Sequence, residues 1–484
     1  MNTIKYLLMG AMLMGVSTVS NAQDGSAADI ALFKNLVASK PADMEKQMNT
    51  FYKKNKKNVP NLLAFGRELL NAEDYANAEK FANYALTADK KSAAAFILLG
   101  DIAAVHDEDG GKAASNYEQA IYFDPDNVDA YRKYANVYRK VDLDGAIAKL
   151  EELHRNKPEI SVDGMIGHLY YQSLKYSSAI EAFKKLPLSE FTRRDYVEYS
   201  YSLYKSKDYD EALRIITAGL SKYPLNGTLT RLGLFCSTEL KKGSQARDYA
   251  NVLFNQVSRD SITISDKDYL YYGRAYAVDS MFNEAIQQYN AGLAMNSDNK
   301  EDRKEMLQNI SDAYKGMNKF EEAIAAYDKY LAELDDVDVN DFAGKGLLWI
   351  QYARILEENS PEFIEANKKA AAIFAELIEK YPNAASVEYG YYQQARATAN
   401  FDKDETKVLY EKLIEHITTR EPSAEKYTAT DKRRLFLGYR FLMVYYVNNK
   451  QNDKALPAAI KAREFATPDV FESIDKIVKQ LGGE

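Results

Sequence analysis

The sequence predicts an all-α solenoid, a run of helical hairpins stacked side by side, and three observations lead there. A small residue recurs as Ala78, Ala113, Ala146, Ala179, Ala212, Ala246, Ala285, Ala323, Ala370, Thr406 and Ala455, at intervals of 35, 33, 33, 33, 34, 39, 38, 47, 36 and 49 residues. A period of roughly 34 residues suits a helix–turn–helix unit. Apolar residues follow each anchor about four and seven or eight positions later, the step of a helix and not of a strand. In four units a proline stands twelve residues after the anchor, as Pro125, Pro158, Pro224 and Pro382. Proline cannot continue a helix, so it marks a stop before the next unit.

The elements follow in chain order. Lys5 gives a weakly basic start, Tyr6 to Val16 is apolar, and Ser20-Asn21-Ala22 offers small residues at a cleavage site. Residues 1–22 therefore read as a secretory signal cut after Ala22, with export to a bacterial periplasm or beyond. The apolar stretch is too short to span a bilayer. No cysteine precedes Cys236, so neither a lipid anchor nor a membrane span is expected. Residues 23–57 hold a flexible leader (Gln23 to Ala27) and two capping helices near 28–38 and 42–55. Their core-facing residues are Ile30, Phe33, Leu36, Met44, Met48 and Phe51; a solenoid needs such a cover for its first repeat.

A regular array spans 58–255 and a less regular one 256–468, with a hinge expected near 260. The wider intervals of the second array are assigned to polar connections near 256–266, 334–345, 358–363 and 418–431, since insertions in solenoids map to loops. Pro468-Asp469-Val470-Phe471 opens a last capping helix over 469–484, carrying Ile474, Ile477, Val478 and Leu481 and stopped by Gly482-Gly483.

Residues 266–299 show one unit clearly. Leu270, Gly273, Tyr276 and Ala277 share a helical face, Asp279-Ser280 makes a turn, and Phe282, Ala285, Ile286, Tyr289 and Leu293 form the second helix. Gly273 and Ala285 let two backbones approach while Tyr289 fills the space beside them. Ser311, Tyr314, Phe320, Ala323, Tyr327 and Tyr330 repeat the scheme, as do Gly167, Tyr170, Tyr176, Ala179, Phe183 and Leu186. The stretches Tyr209-Asp210-Glu211-Ala212, Phe320-Glu321-Glu322-Ala323-Ile324 and Asn116-Tyr117-Glu118-Gln119-Ala120-Ile121-Tyr122-Phe123-Asp124-Pro125 resemble tetratricopeptide repeats. The resemblance covers roughly 58–468 and implies a right-handed superhelix of about eleven repeats. Thr406 replaces the small alanine, and Ala82, Ala250 and Ala459 stand where a large apolar residue usually packs.

Composition narrows the function. A net charge of −8 with no basic tail disfavours nucleic-acid binding. Cys236 is the single cysteine and lies in the apolar Leu232-Gly233-Leu234-Phe235-Cys236, which reads as a buried, inert thiol. His106, His154, His168 and His416 are scattered, and no metal-binding, nucleophile-elbow or phosphate-loop pattern accompanies them. No cofactor, metal or catalytic residue is expected. Asp336-Val337-Asp338-Val339-Asn340-Asp341 alternates oxygens as a calcium loop does, but Asp341 stands at the turn glycine and Leu347 at the bidentate glutamate. A polar connection explains it better.

The resemblance also implies that the first helix of each pair lines a concave groove, through residues three before, one after and four after the small position. Helical spacing shows only that these share a face. They give Arg132, Asn136 and Arg139, then His168 and Tyr171, then Tyr201 and Tyr204. Such a basic–aromatic patch suits a partner's carboxylates, with the rings packing on an apolar or sugar surface. The family's chaperone-binding members clamp a terminal carboxylate, but His168, Val197 and Tyr201 break that pattern after Arg132 and Asn136. The function expected is a non-catalytic scaffold of the bacterial cell envelope that binds a protein or peptide. The alternative is an outer-membrane or periplasmic carbohydrate-binding protein on the same frame, suggested by 37 tyrosines.

Overall fold

In a computed structural model the described residues are 24–107, 109–259, 262–295 and 298–483. The signal segment expected over 1–22 lies outside them. The described residues form 25 α-helices and no strand. They divide into two compact units, up to Leu232 and from Gly233. The sequence placed a hinge near 260; the units part 28 residues earlier, inside a helix.

The first unit opens with α1 (Asp24–Ser39) and α2 (Met44–Asn55). Helix α1 starts at Asp24, so the leader expected to be flexible through Ala27 is already helical there. Phe33 is fully buried and stacks on Phe65 at 4.3 Å, which seats α1 on the first repeat. Five helix pairs follow: α3 (Val59–Asn71) with α4 (Tyr75–Ala88), α5 (Ala93–Ile102) with α6 (Gly110–Phe123), α7 (Val128–Tyr138) with α8 (Leu143–Asn156), α9 (Asp163–Gln172) with α10 (Tyr176–Phe183), and α11 (Arg193–Lys205) with α12 (Tyr209–Lys222).

The division between units falls within α13 (Gly227–Glu239), which precedes α14 (Gly243–Asn255). The second unit continues with α15 (Asp266–Ala277) and α16 (Phe282–Leu293), α17 (Lys300–Gly316) and α18 (Phe320–Ala332), and α19 (Val339–Ala353) and α20 (Pro361–Lys380). Helices α21 (Ala384–Thr398) and α22 (Lys403–Arg420), then α23 (Ala429–Asn448) and α24 (Asn452–Glu464), complete it, and α25 (Pro468–Gln480) follows. Ile474 and Val478 of α25 are buried in the cluster built by α22, α23 and α24.

The recurring small residue is the centre of each pair. All eleven anchors, Thr406 included, are fully buried. In several pairs the facing first helix contributes a glycine, and an aromatic ring from the second helix occupies the vacated volume. A Cβ added at Gly167 would lie 2.8 Å from the Phe183 ring, and one at Gly233 would lie 2.6 Å from Tyr249. Gly100 against Tyr117 and Gly273 against Tyr289 are closer still. Carbon atoms rest at about 3.5–4.0 Å, so no larger residue fits without displacing the ring.

Two local devices set the turn inside each pair. Five positions before the anchor, Glu73, Leu174, Lys207, Lys241, Ser280, Asn318 and Lys450 adopt φ between 56° and 63°, the left-handed geometry that closes a helix. Four positions before it, Asp74, Asp109, Asp142, Asp208 and Asp402 cap the second helix, each accepting the backbone N–H three residues on at 2.9–3.4 Å.

The stretched spacing of the second unit comes in good part from longer helices. Helices α20 and α23 have 20 residues and α22 has 18, against at most 14 for α3 to α12. The segment 334–345 expected as a connection is helical from Val339, and 418–431 is helical through Arg420 and again from Ala429. Charged residues on the outer face of a helix read as a loop when period is judged over a short window.

Candidate partner-binding surface

The seven residues singled out for the groove lie in the first unit, on α7, α9 and α11. Arg132, Asn136 and Arg139 are spaced i, i+4, i+7 from α7 to its C-terminal end; His168 and Tyr171 stand one turn apart on α9, as Tyr201 and Tyr204 do on α11. All are half-buried except His168, which is 7 % exposed.

The basic members are more committed than their spacing suggested. Arg132 Nη2 reaches Asp129 Oδ1 at 2.5 Å. Burial opposes ionisation of Asp129, yet Lys133 and Arg132 together hold its carboxyl below the usual value. His168 Nδ1 lies 2.8 and 2.9 Å from the two oxygens of Glu198, itself 6 % exposed. His168 is therefore a strut between α9 and α11 and is not presented to a partner, which corrects its expected role. A parallel strut joins α5 to α7, where Asp101 receives Lys133 at 2.6 Å and the Tyr117 hydroxyl at 2.8 Å. Arg139 donates to the Asn136 carbonyl, and burial alone lowers its guanidinium pKa.

The aromatic members do converge. Tyr171 and Tyr201 meet edge to face with centroids 5.7 Å apart, and Tyr201 and Tyr204 lie 6.3 Å apart. The second helices extend the row: Tyr176 is 5.9 Å from Tyr201, and Tyr209 is 5.9 Å from Tyr204. Five half-buried rings thus run across two repeats, with the Lys205 ammonium 5.8 Å from the Tyr201 centroid. Burial, then Glu198 and the neighbouring phenols, push the Tyr171 hydroxyl up to about 12.

Arg132, Asn136, Met165, His168 and Arg194 line a crevice too narrow to admit water. Arg194 sits in the first turn of α11, which a capping box fixes: Asp195 Oδ2 accepts the Thr192 N–H at 2.8 Å and Thr192 Oγ1 accepts the Asp195 N–H at 3.3 Å. The groove spacing rule missed Arg194, Lys205, Tyr176 and Tyr209. The first lies six residues before Ser200, the small position of α11, and the second five after it, and the tyrosines are on second helices. The Glu198 partner was visible in principle as a carboxylate 30 residues, about one repeat, after His168.

Elsewhere, the acidic loop is occupied by its own fold. Asp338 Oδ1 caps α19 by accepting the N–H groups of Asn340 and Asp341 at 2.7 and 2.8 Å, and Tyr330 donates to Asp341 at 2.6 Å. Cys236 is buried, and burial pushes its thiol up to about 12. Among the described residues no helix is long and apolar enough to cross a membrane.

Comparison with known proteins gives no matching family model. Human Superkiller complex protein 3 is 28% identical over 140 residues, which cover 27% of this chain and 9% of that protein. The chain thus spans less than a tenth of that relative's length. Among solved structures, the C-terminal part of a TPR repeat-containing protein from Cytophaga hutchinsonii is 23% identical, covering 57% of this chain and 98% of its own, with a TM-score of 0.44. A tetratricopeptide repeat protein from Parabacteroides merdae is 17% identical over 51% of this chain and 97% of its own, with a TM-score of 0.34. Pseudomonas aeruginosa pilF is 21% identical over 42% and 94%, with a TM-score of 0.34.

Proposed function

Starting from a chain built of tetratricopeptide-type helix pairs, we propose that it is a non-catalytic scaffold whose α7–α9–α11 face holds a protein or peptide partner. The observation that carries this is the row of five half-exposed tyrosines, continuous across two repeats. Rings with an apolar body and a polar tip supply contact area at low conformational cost, which is why tyrosine is enriched where proteins meet. The strut His168–Glu198 ties α9 to α11 and Asp101–Lys133 ties α7 to α5, contacts that favour a preformed face.

Export belongs to the same reading. The apolar start and small residues before Gln23 support a mature chain in the bacterial cell envelope, and amino-terminal sequencing of the protein from cells would begin at Gln23. The partner is reached by placing a photo-crosslinking amino acid at position 201 and irradiating whole cells. A protein adduct from position 201 and not from exposed Lys90 is expected. Adducts identical at both positions would remove the reading, and so would retention by a polysaccharide gel that depends on Tyr201.

A further inference from the structure

The charges left over on this face point to the chemistry of its partner, an inference that rests on the docking reading above and deepens it. Arg132 is paired with Asp129, His168 with Glu198, and Lys133 with Asp101. Three cations of this face have no such partner. Among the described residues Arg139, Arg194 and Lys205 lie within ion-pair distance of no carboxylate; Arg139 is bonded only to the Asn136 carbonyl, and Lys205 lies over the Tyr201 ring.

They belong to one surface. Asn136 lines the crevice that Arg194 closes and carries the carbonyl that Arg139 grips. Tyr171, one turn beyond His168, meets Tyr201, over which Lys205 lies. The face therefore presents three cations without a carboxylate partner, Arg139, Arg194 and Lys205, beside Arg132, which Asp129 already holds. This stands in a chain whose net charge is −8. Arg194 does not serve its own helix either, because a cation in the first turn opposes the helix dipole.

We propose that this face takes an acidic, extended peptide segment of its partner. One carboxylate of that segment sits on Arg194 at the edge of the crevice. An apolar or prolyl residue beside it packs on Tyr171, Tyr201 and Tyr204. Charge excess of this kind acts on encounter and on selection against basic partners, and it weakens with salt.

Selection of a phage-displayed random dodecapeptide library on the full chain tests this. Enriched peptides should be rich in Asp and Glu with an aromatic or proline between them. Labelled synthetic copies, followed by fluorescence anisotropy, should bind at least about ten-fold more weakly to Arg194→Glu, and within about two-fold of wild type to Lys90→Glu. Raising NaCl should weaken them several-fold. Arg194→Glu places an acid at the start of α11, so its thermal midpoint should not fall, and lost binding cannot be put down to unfolding. Neutral or basic peptides whose binding is lost in Tyr201→Ala would overturn the acidic chemistry and leave the docking face standing. Peptides indifferent to both substitutions, or no enrichment at all, would count against both.

Discussion

Replacing Gly167 by alanine tests whether contact between a missing side chain and a ring sets the spacing of a helix pair. Gly167 is interior to α9, where exchange of glycine for alanine ordinarily stabilises by about 1 kcal/mol. The structure opposes that gain. The new Cβ would lie 2.8, 2.9 and 3.0 Å from three atoms of the Phe183 ring, inside contact distance by roughly 0.5–1 Å. Phe183 is fully buried, with Phe191 and Tyr199 at centroid distances of 6.3 and 5.6 Å, so it cannot swing to solvent. Overpacking of this kind costs about 1–3 kcal/mol. The net expectation is a loss of about 1 kcal/mol, seen as a lower urea midpoint by circular dichroism. The same exchange at Gly111, where the nearest atom is an Asp109 carboxylate oxygen at 3.3 Å, should stabilise by about 0.5–1 kcal/mol. If Gly167→Ala matches or exceeds wild type, the ring is not what holds α9 and α10 apart and the packing argument fails.

Other expectations are quicker to check. Ala212→Asp puts a charge at a fully buried anchor and should cost a few kcal/mol, about that of an unpaired buried polar group; a wild-type melt would contradict it. Leu174 holds φ 58° with 71 % exposure, so Leu174→Gly should raise the urea midpoint by about 0.5–1 kcal/mol of stability. The Cys236 thiol, pushed up to about 12 by burial, should resist alkylation at pH 8 until denaturant is added. Tyr171, Tyr199 and Tyr410 are likewise pushed up to about 12, chiefly by burial. Because the unfolded chain sheds those phenolic protons from about pH 10 while the native chain keeps them, stability should fall as pH rises from 10 to 12. Absorbance at 295 nm should show tyrosinate forming late and together with unfolding.

The fold was legible because one physical requirement repeats. Two helices can approach only where side chains are small, so Ala78 through Ala455 recur in phase, and every one of them is buried. Thr406 fits the rule despite its size, since its hydroxyl donates to the Asp402 carbonyl at 2.6 Å and is not left unpaired. The turn was legible too, though by a signal not used: an aspartate four residues before the anchor in five repeats, each capping the second helix. What spacing could not supply was helix length. In α20 the anchor Ala370 is the tenth residue, whereas Ala212 is the fourth of α12, and nothing in an anchor-to-anchor distance separates an added helical turn from an added loop.

The proposed docking face shows a different limit. Periodicity places residues on a side of a helix, but whether a charge there is available depends on its neighbour one repeat away. His168 and Arg132 met the positional rule and are spent on Glu198 and Asp129. Arg194 and Lys205 failed the rule and remain unpaired on the surface that the tyrosines define. In a stacked array each first helix touches the next, so opposite charges about 30 residues apart cancel in place and do not add to the field a partner meets. Asp101 with Lys133 is such a pair. Reading a groove of this type from sequence therefore calls for subtracting those inter-repeat pairs first, and the basic residues that survive the subtraction are the ones to mutate.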